Sequence, residues 1–174
     1  MQGRLVRIIN DNAQRIERTI RDVLALGRRE QAMPEALPLA GCVREVIDAR
    51  LFRAPEEAPL YAVDIDPAAT LAIDRAHLHQ ILANLLANAC RYCSGEPGAI
   101  RVWAEALPGE RLALHVRDDG PGFDEATRAH LFEPFFTTHP KGTGLGLYIA
   151  RELAEANDAD LELASAGAGA HLVL

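Results

Sequence analysis

The run from residue 75 to residue 118 constrains this chain most, because one helical pattern is followed at once by two strand patterns joined by a turn. Leu78, Ile81, Leu82, Leu85 and Ala89 recur at steps of three and four, which builds one apolar face on a helix spanning residues 75–93. Asp74 stands where that helix needs an N-cap. Residues 100–106 and 112–118 alternate as strands do, and Leu107-Pro108-Gly109-Glu110-Arg111 between them is a hairpin signal. A hairpin placed beside an amphipathic helix excludes an all-parallel βαβ architecture. It predicts an α+β domain, a mixed sheet with helices on one face.

The remaining patterns fit around that unit. Residues 40–53 read as a helix, 53–59 as a polar loop, 61–66 and 70–73 as strands, 144–157 as a helix, and 159–165 and 170–174 as short strands. Residues 31–39 carry two prolines and no period, so they read as a linker and domain boundary. Before them, Leu5, Ile9, Ala13, Ile16, Ile20 and Val23 place one apolar stripe along a helix of about seven turns over residues 4–30. Such a narrow stripe needs a partner helix, from a second copy of the chain or from elsewhere in a longer protein. The expected division is 1–30 helix, 31–39 linker and 40–174 domain.

Composition narrows the class. The 174 residues are 49% hydrophobic and 25% charged, which excludes wholesale disorder. Eighteen basic residues against 25 acidic ones leave a net charge of −7, which disfavours a nucleic-acid partner. No stretch of 18 apolar residues occurs, and Asn10-Asp11-Asn12 falls where a signal peptide needs an apolar core, so a cytoplasmic location is expected. Cys42, Cys90 and Cys93 form no even disulfide framework. Cys90 and Cys93, a C-x-x-C pair with no second pair to complete a zinc site, read as buried structural thiols.

Four segments carry chemistry. On the 75–93 helix, Asn84, Asn88, Arg91 and Tyr92 share a face. The amide oxygens of the two asparagines suit Mg²⁺ beside phosphate, and equally the four residues fit a solvated polar face. Asp118-Asp119-Gly120-Pro121-Gly122-Phe123 directly follows a strand. It is either a tight turn or a carboxylate placed to accept a hydrogen bond from an exocyclic amine such as that of adenine. Residues 131–140 hold three of the five phenylalanines, as a local cluster or as a lid that excludes water. Lys141, the only lysine, begins Lys141-Gly142-Thr143-Gly144-Leu145-Gly146-Leu147, whose backbone N–H groups can face an anion at a helix start. The lysine precedes the glycines, so this is no Walker loop, and Leu147 replaces the third glycine of a dinucleotide fingerprint. A plain helix-entry turn is the alternative.

In that order and spacing, residues 38–174 closely resemble the ATP-binding domain of two-component sensor histidine kinases, within the group that includes gyrase B, Hsp90 and MutL. Residues 84–92 resemble the N box, Asp118–Gly122 the first glycine box, 131–136 the F box and 142–147 the second glycine box. The run from Phe135 to Leu153 is most similar to the NtrB-like branch. The resemblance implies a Bergerat-type α/β sandwich of a mixed sheet and three helices, preceded by the second helix of the dimerisation hairpin. It implies ATP and Mg²⁺ as cofactors, with Asn88 on the metal, Asn84 beside it, and Arg91 and Lys141 on phosphates. Tyr92 would lie along the nucleotide, Asp118 would read the adenine amine, and Gly120 and Gly122 would shape its pocket. Phe123, Phe135, Thr143, Leu145 and Leu147 complete the nucleotide contacts, residues 123–141 form the lid, and Gly142, Gly144 and Gly146 form the phosphate turn. The implied partners are ATP or ADP, an NtrC-like response regulator and a second copy through the hairpin helices, in a parent protein anchored in the inner membrane.

One departure is large. None of His77, His79, His115, His130, His139 and His171 sits in the family's phosphoacceptor motif, H-E-x-[RK]-N-P. His77 and His79 are expected to cap the helix or face solvent. The expected activity is therefore γ-phosphoryl transfer to a histidine outside this chain, without autophosphorylation by the chain alone. The rival readings are a non-catalytic nucleotide-gated module and a gyrase-type hydrolytic ATPase.

Overall fold

The computed structural model describes residues 32–109, 111–139, 142–164 and 169–174. The helix expected over 4–30, its buried stripe, and Lys141 lie outside the described residues.

The elements run β1 (Glu35–Pro38), α1 (Leu39–Leu51), a 3-10 turn (Pro55–Leu60), β2 (Tyr61–Asp64), β3 (Thr70–Ile73), α2 (Arg75–Tyr92), β4 (Ile100–Leu107), β5 (Arg111–Asp118), α3 (Glu125–His130), α4 (Gly146–Glu155), β6 (Glu162–Leu163) and β7 (His171–Val173). A five-stranded sheet has the order β2-β4-β5-β7-β6. β2 runs parallel to β4 and the other pairings are antiparallel, so the sheet is mixed, as the hairpin predicted.

Strand alternation decides which residues reach the core. Ile100 and Val102 of β4, Leu114 and Val116 of β5 and Leu172 of β7 share the buried side. The three long helices cover that side with Val43, Val46 and Ile47 of α1, Leu78, Ile81, Leu82, Leu85 and Leu86 of α2, and Ile149, Ala150 and Leu153 of α4. A fully buried leucine of this kind contributes about 1.5–3 kcal/mol from desolvation. Following the same alternation, the last inward position of β5 is Asp118, a carboxylate at 5% exposure.

The α2 start is closed as its sequence predicts. The Asp74 carboxylate accepts the His77 N–H at 3.0 Å. Asn157, just past α4, accepts the Asp74 N–H at 2.8 Å and lies 2.9 Å from His77 Nδ1, tying the end of α4 to the start of α2.

One boundary is corrected. Residues 35–38, read as linker, form β1, which pairs antiparallel with β3 in a separate two-stranded ribbon. Only Leu37 of the strand is buried, so it shows no alternation to read. Pro38 is tolerated at the strand end, where it is also the N-cap residue of α1. The described part of the domain therefore reaches back past residue 40.

Candidate functional site

The C-terminal half of α2, the loop after β5, the 123–139 segment and the turn into α4 enclose a cavity of about 520 Å³. Asn84, Asn88, Arg91 and Tyr92 line it together, as their 3.6-residue spacing requires. Facing them are Gly142, Thr143, Gly144, Gly146 and Leu147, with Phe123 on the wall.

The lining has a sign. It holds two arginines, Arg50 and Arg91, and among the described residues no carboxylate. In a chain of net charge −7 that is a local inversion suited to an anion. Arg50 is oriented by Glu57, which takes its Nε–H at 2.5 Å and its Nη2–H at 3.0 Å. Asn84 Nδ2 is buried without a hydrogen-bond partner, although Asn84 Oδ1 accepts from Gln80 at 3.5 Å. An orphaned buried donor on the cavity wall has a hydrogen bond to give to a ligand.

Asp118, at the buried end of β5, is not itself on the lining; the loop that follows it reaches the cavity wall at Phe123. The Asp118 Oδ1 accepts the Gly120 N–H at 2.9 Å and the Ala170 N–H at 3.2 Å. Burial pushes the carboxyl above its ordinary value, and these two donors oppose that shift. Only glycine fits at position 120, because a Cβ there would collide with the Tyr92 carbonyl oxygen. The β5 exit loop thereby lies directly against the end of α2. Gly122 packs in the same way on the backbone of Gly169.

The segment after the first glycine box is more structured than a plain lid. Asp124 caps α3 through the Thr127 N–H at 2.7 Å, and Leu131 is buried. Gly144, at φ +70, presses on the backbone of Phe135 and Phe136; a Cβ there would lie 2.6 Å from the Phe135 carbonyl oxygen. The second glycine turn is thus locked to the phenylalanine segment.

Five of the expected site residues, Asp118, Gly120, Gly122, Phe135 and Leu145, are not on the lining. Phe135 has φ +66 and its side chain is 69% exposed, while Phe136 lines the cavity instead. The left-handed backbone at Phe135 turns its ring outward. Leu145 is 1% exposed and belongs to the apolar core, since it is the inward residue at the start of α4. Sequence reasoning also missed Arg50, Cys90, Thr127, Thr137 and Thr138, all on the lining. Arg50 comes from another helix and carries no motif. Cys90 lies between Asn88 and Arg91 on α2, where helical phase alone offered the clue. Its sulfur is 2.9 Å from the Tyr61 hydroxyl, and burial raises its thiol above the ordinary value.

His79 also departs from expectation. It is half-buried, with Nε2 3.1 Å from Glu45 Oε2. All three cysteines are free.

Known proteins share this fold. Residues 73–174, more than half of the chain, match the family described as histidine kinase-, DNA gyrase B-, and HSP90-like ATPase. The chain is 39% identical over 166 residues to the sensor protein kinase PilS of Pseudomonas aeruginosa, covering 91% of this chain and 31% of PilS. It therefore spans about a third of that curated relative. Full-length ShkA, solved in complex with AMPPNP, superposes with a TM-score of 0.74 at 31% identity, over 87% of this chain and 33% of ShkA. The catalytic domain of the histidine kinase ThkA superposes at 0.67 with 27% identity, over 81% of this chain and 93% of that domain. The described fold is that of histidine kinase catalytic domains. With the match extending from the end of β3 to the last residue, this chain belongs to the histidine kinase-, DNA gyrase B- and HSP90-like ATPase family.

Proposed function

We propose that this chain is the ATP-binding catalytic part of a sensor histidine kinase, which presents the γ-phosphoryl of ATP to a histidine on another element. The observation that supports it most is the cavity: two arginines, two in-phase asparagines, a glycine turn and no described carboxylate on the lining, with the buried Asp118 opening the loop that brings Phe123 to its wall.

Each residue has a task. Asp118 accepts a hydrogen bond from the adenine amine, its Oδ1 already oriented by Gly120 and Ala170. Tyr92, Phe136 and Leu147 supply apolar wall for the nucleotide. Arg50, Arg91 and the glycine-turn N–H groups neutralise phosphate charge, with Lys141 added to that set by its place in the sequence. The amide oxygen of Asn88 would hold Mg²⁺, with Asn84 beside it, and the ion would supply neutralisation of phosphate charge. Thr137 and Thr138 help close the cavity from water.

Catalysis here is positioning and charge neutralisation. The acceptor nitrogen forms a bond to Pγ as the bond from Pγ to the β,γ-bridging oxygen breaks, and ADP leaves. No described histidine lines the cavity, so the acceptor arrives from elsewhere. Asn84 stands one turn before Asn88, and an amide cannot take a proton from water, so hydrolysis is slow. In the whole protein the phosphoryl group passes on to a response regulator of the NtrC-like kind. The parent protein dimerises through its hairpin helices and is held at the inner membrane. Among the described residues no helix is long and apolar enough to cross a membrane.

The deciding experiment mixes this chain with a separate hairpin carrying the acceptor histidine and γ-labelled ATP. Acid-labile label on the hairpin, lost in Asn88→Ala, is the expected result. Nucleotide binding without transfer would overturn the kinase reading in favour of a nucleotide-gated module. Turnover of about 1–10³ s⁻¹ with water alone would overturn it in favour of a hydrolytic ATPase.

A further inference from the structure

A second cluster lies across α1 and α2, away from the nucleotide cavity. Cys42 and Glu45 are three residues apart on α1 and so share a face, and His79 approaches from the first half of α2. One ligand-type atom from each, a thiol sulfur, a carboxylate oxygen and an imidazole nitrogen, lie within 4.8 Å of one another. His79 Nε2 is 3.1 Å from Glu45 Oε2. In a tetrahedral zinc site, ligand distances of about 2.0–2.2 Å put neighbouring N and O atoms roughly 3.3 Å apart. The observed pair is already near that spacing, and the sulfur needs to close by less than about 1.5 Å to reach the corresponding edge.

Two further features point to a cation. His79 Nε2 is a buried atom whose near polar neighbour is the Glu45 carboxylate at 3.1 Å, so imidazole and carboxylate converge on one point. The group now nearest is itself a cation: Arg75 Nη1 lies 3.2 Å from Glu45 Oε2 and 4.0 Å from Cys42 Sγ. Arg75 is about half exposed and has a second carboxylate, Glu35, 3.5 Å from its Nε. It can leave the cluster without losing an acidic partner. An open groove along Met33, Pro34, Glu35, Asp74 and Ala76 reaches His79 from solvent and provides the entry path.

We infer that Cys42, Glu45 and His79 form a three-ligand site for a borderline-soft divalent cation of the zinc class, with water as the fourth ligand. A thiolate and an imidazole exclude Mg²⁺ and Ca²⁺ as the preferred ions. On binding, the Cys42 thiol proton passes to solvent, the sulfur bonds to the metal, and Arg75 swings to Glu35. The ion joins α1 to the helix that carries Asn84 and Asn88. The site is independent of the nucleotide reading, because none of its residues lines the nucleotide cavity.

The test is titration of the metal-free chain with Co²⁺ under reducing conditions, followed by competition with Zn²⁺. One equivalent should produce a thiolate-to-cobalt charge-transfer band in the near ultraviolet. His79→Gln and Glu45→Gln should each weaken binding beyond the roughly 10–100-fold that a lost outer contact costs, and Cys42→Ser should abolish the band. Cys42 is fully buried, so if its variant fails to fold, the two α-helix surface variants still decide the matter. The Cys90→Ser/Cys93→Ser double variant should keep the band. No band in the unmutated chain would overturn the proposal. So would a band that survives His79→Gln at full strength, or one that disappears with Cys90 and Cys93.

Discussion

Replacing Asp118 by asparagine separates recognition from folding. The side chain is 5% exposed, and both of its backbone hydrogen bonds fall on Oδ1, from Gly120 at 2.9 Å and Ala170 at 3.2 Å. An asparagine oxygen can take over both, so the turn after β5 should persist. The variant also loses a buried charge, which removes a cost of burial. Its melting temperature should therefore equal or exceed that of the unmutated chain. Binding should move the other way. The second carboxylate oxygen becomes an NH₂ donor, which cannot accept from the adenine amine. A hydrogen bond to a charged group is worth about 1.5–3 kcal/mol, which at 1.4 kcal/mol per decade is roughly 10–150-fold in affinity. Calorimetric titration with ATP and GTP, alongside thermal melting, measures both effects. ATP affinity should fall by that factor and the preference over GTP should shrink. Unchanged ATP binding in a folded variant would refute the adenine assignment. A marked drop in melting temperature would refute the claim that Oδ1 alone holds the turn.

Other substitutions probe the rest of the site. Gly144→Ala combines a left-handed backbone with a collision against Phe135, so it should cost at least about 1 kcal/mol, or ~2–4 °C in melting, and weaken nucleotide binding at least about tenfold. A neutral result would mean that the glycine turn is not locked to the phenylalanine segment. Asn84→Glu places a carboxylate one turn before Asn88, and steady-state hydrolysis should rise by about 10²–10⁴-fold if a missing base is what keeps it slow. His171 is held below its ordinary value by burial and by the neighbouring His115 and Arg117. The folded state thus favours the neutral ring, so its contribution to stability is full above about pH 6.5 and is lost as pH falls below that. Urea midpoints measured on either side of that pH should show the loss, and His171→Gln should diminish it.

The amino-acid sequence by itself determined the elements whose signals are local. The α2 face, the Asp74 cap and the β4–β5 hairpin depend on periods, caps and turn residues that sit within a few positions of each other. Asn84, Asn88, Arg91 and Tyr92 were legible for the same reason: helical phase places them on one face before any tertiary contact forms. What only the tertiary structure decided involves partners distant in the chain. β1 exists because β3, 35 residues later, supplies its hydrogen bonds, and its own residues show no alternation. Arg50 reaches the cavity only because α1 packs on the same side of the sheet as α2. The choice of Phe136 over Phe135 was decided by one left-handed residue wedged on Gly144, a backbone state that no side-chain pattern encodes. Leu145 sits inside a nucleotide-binding motif yet packs inward, because the phase of α4 points it at the core. Cys42, Glu45 and His79 lie on two helices more than 30 residues apart, and only the packing of those helices makes them one cluster.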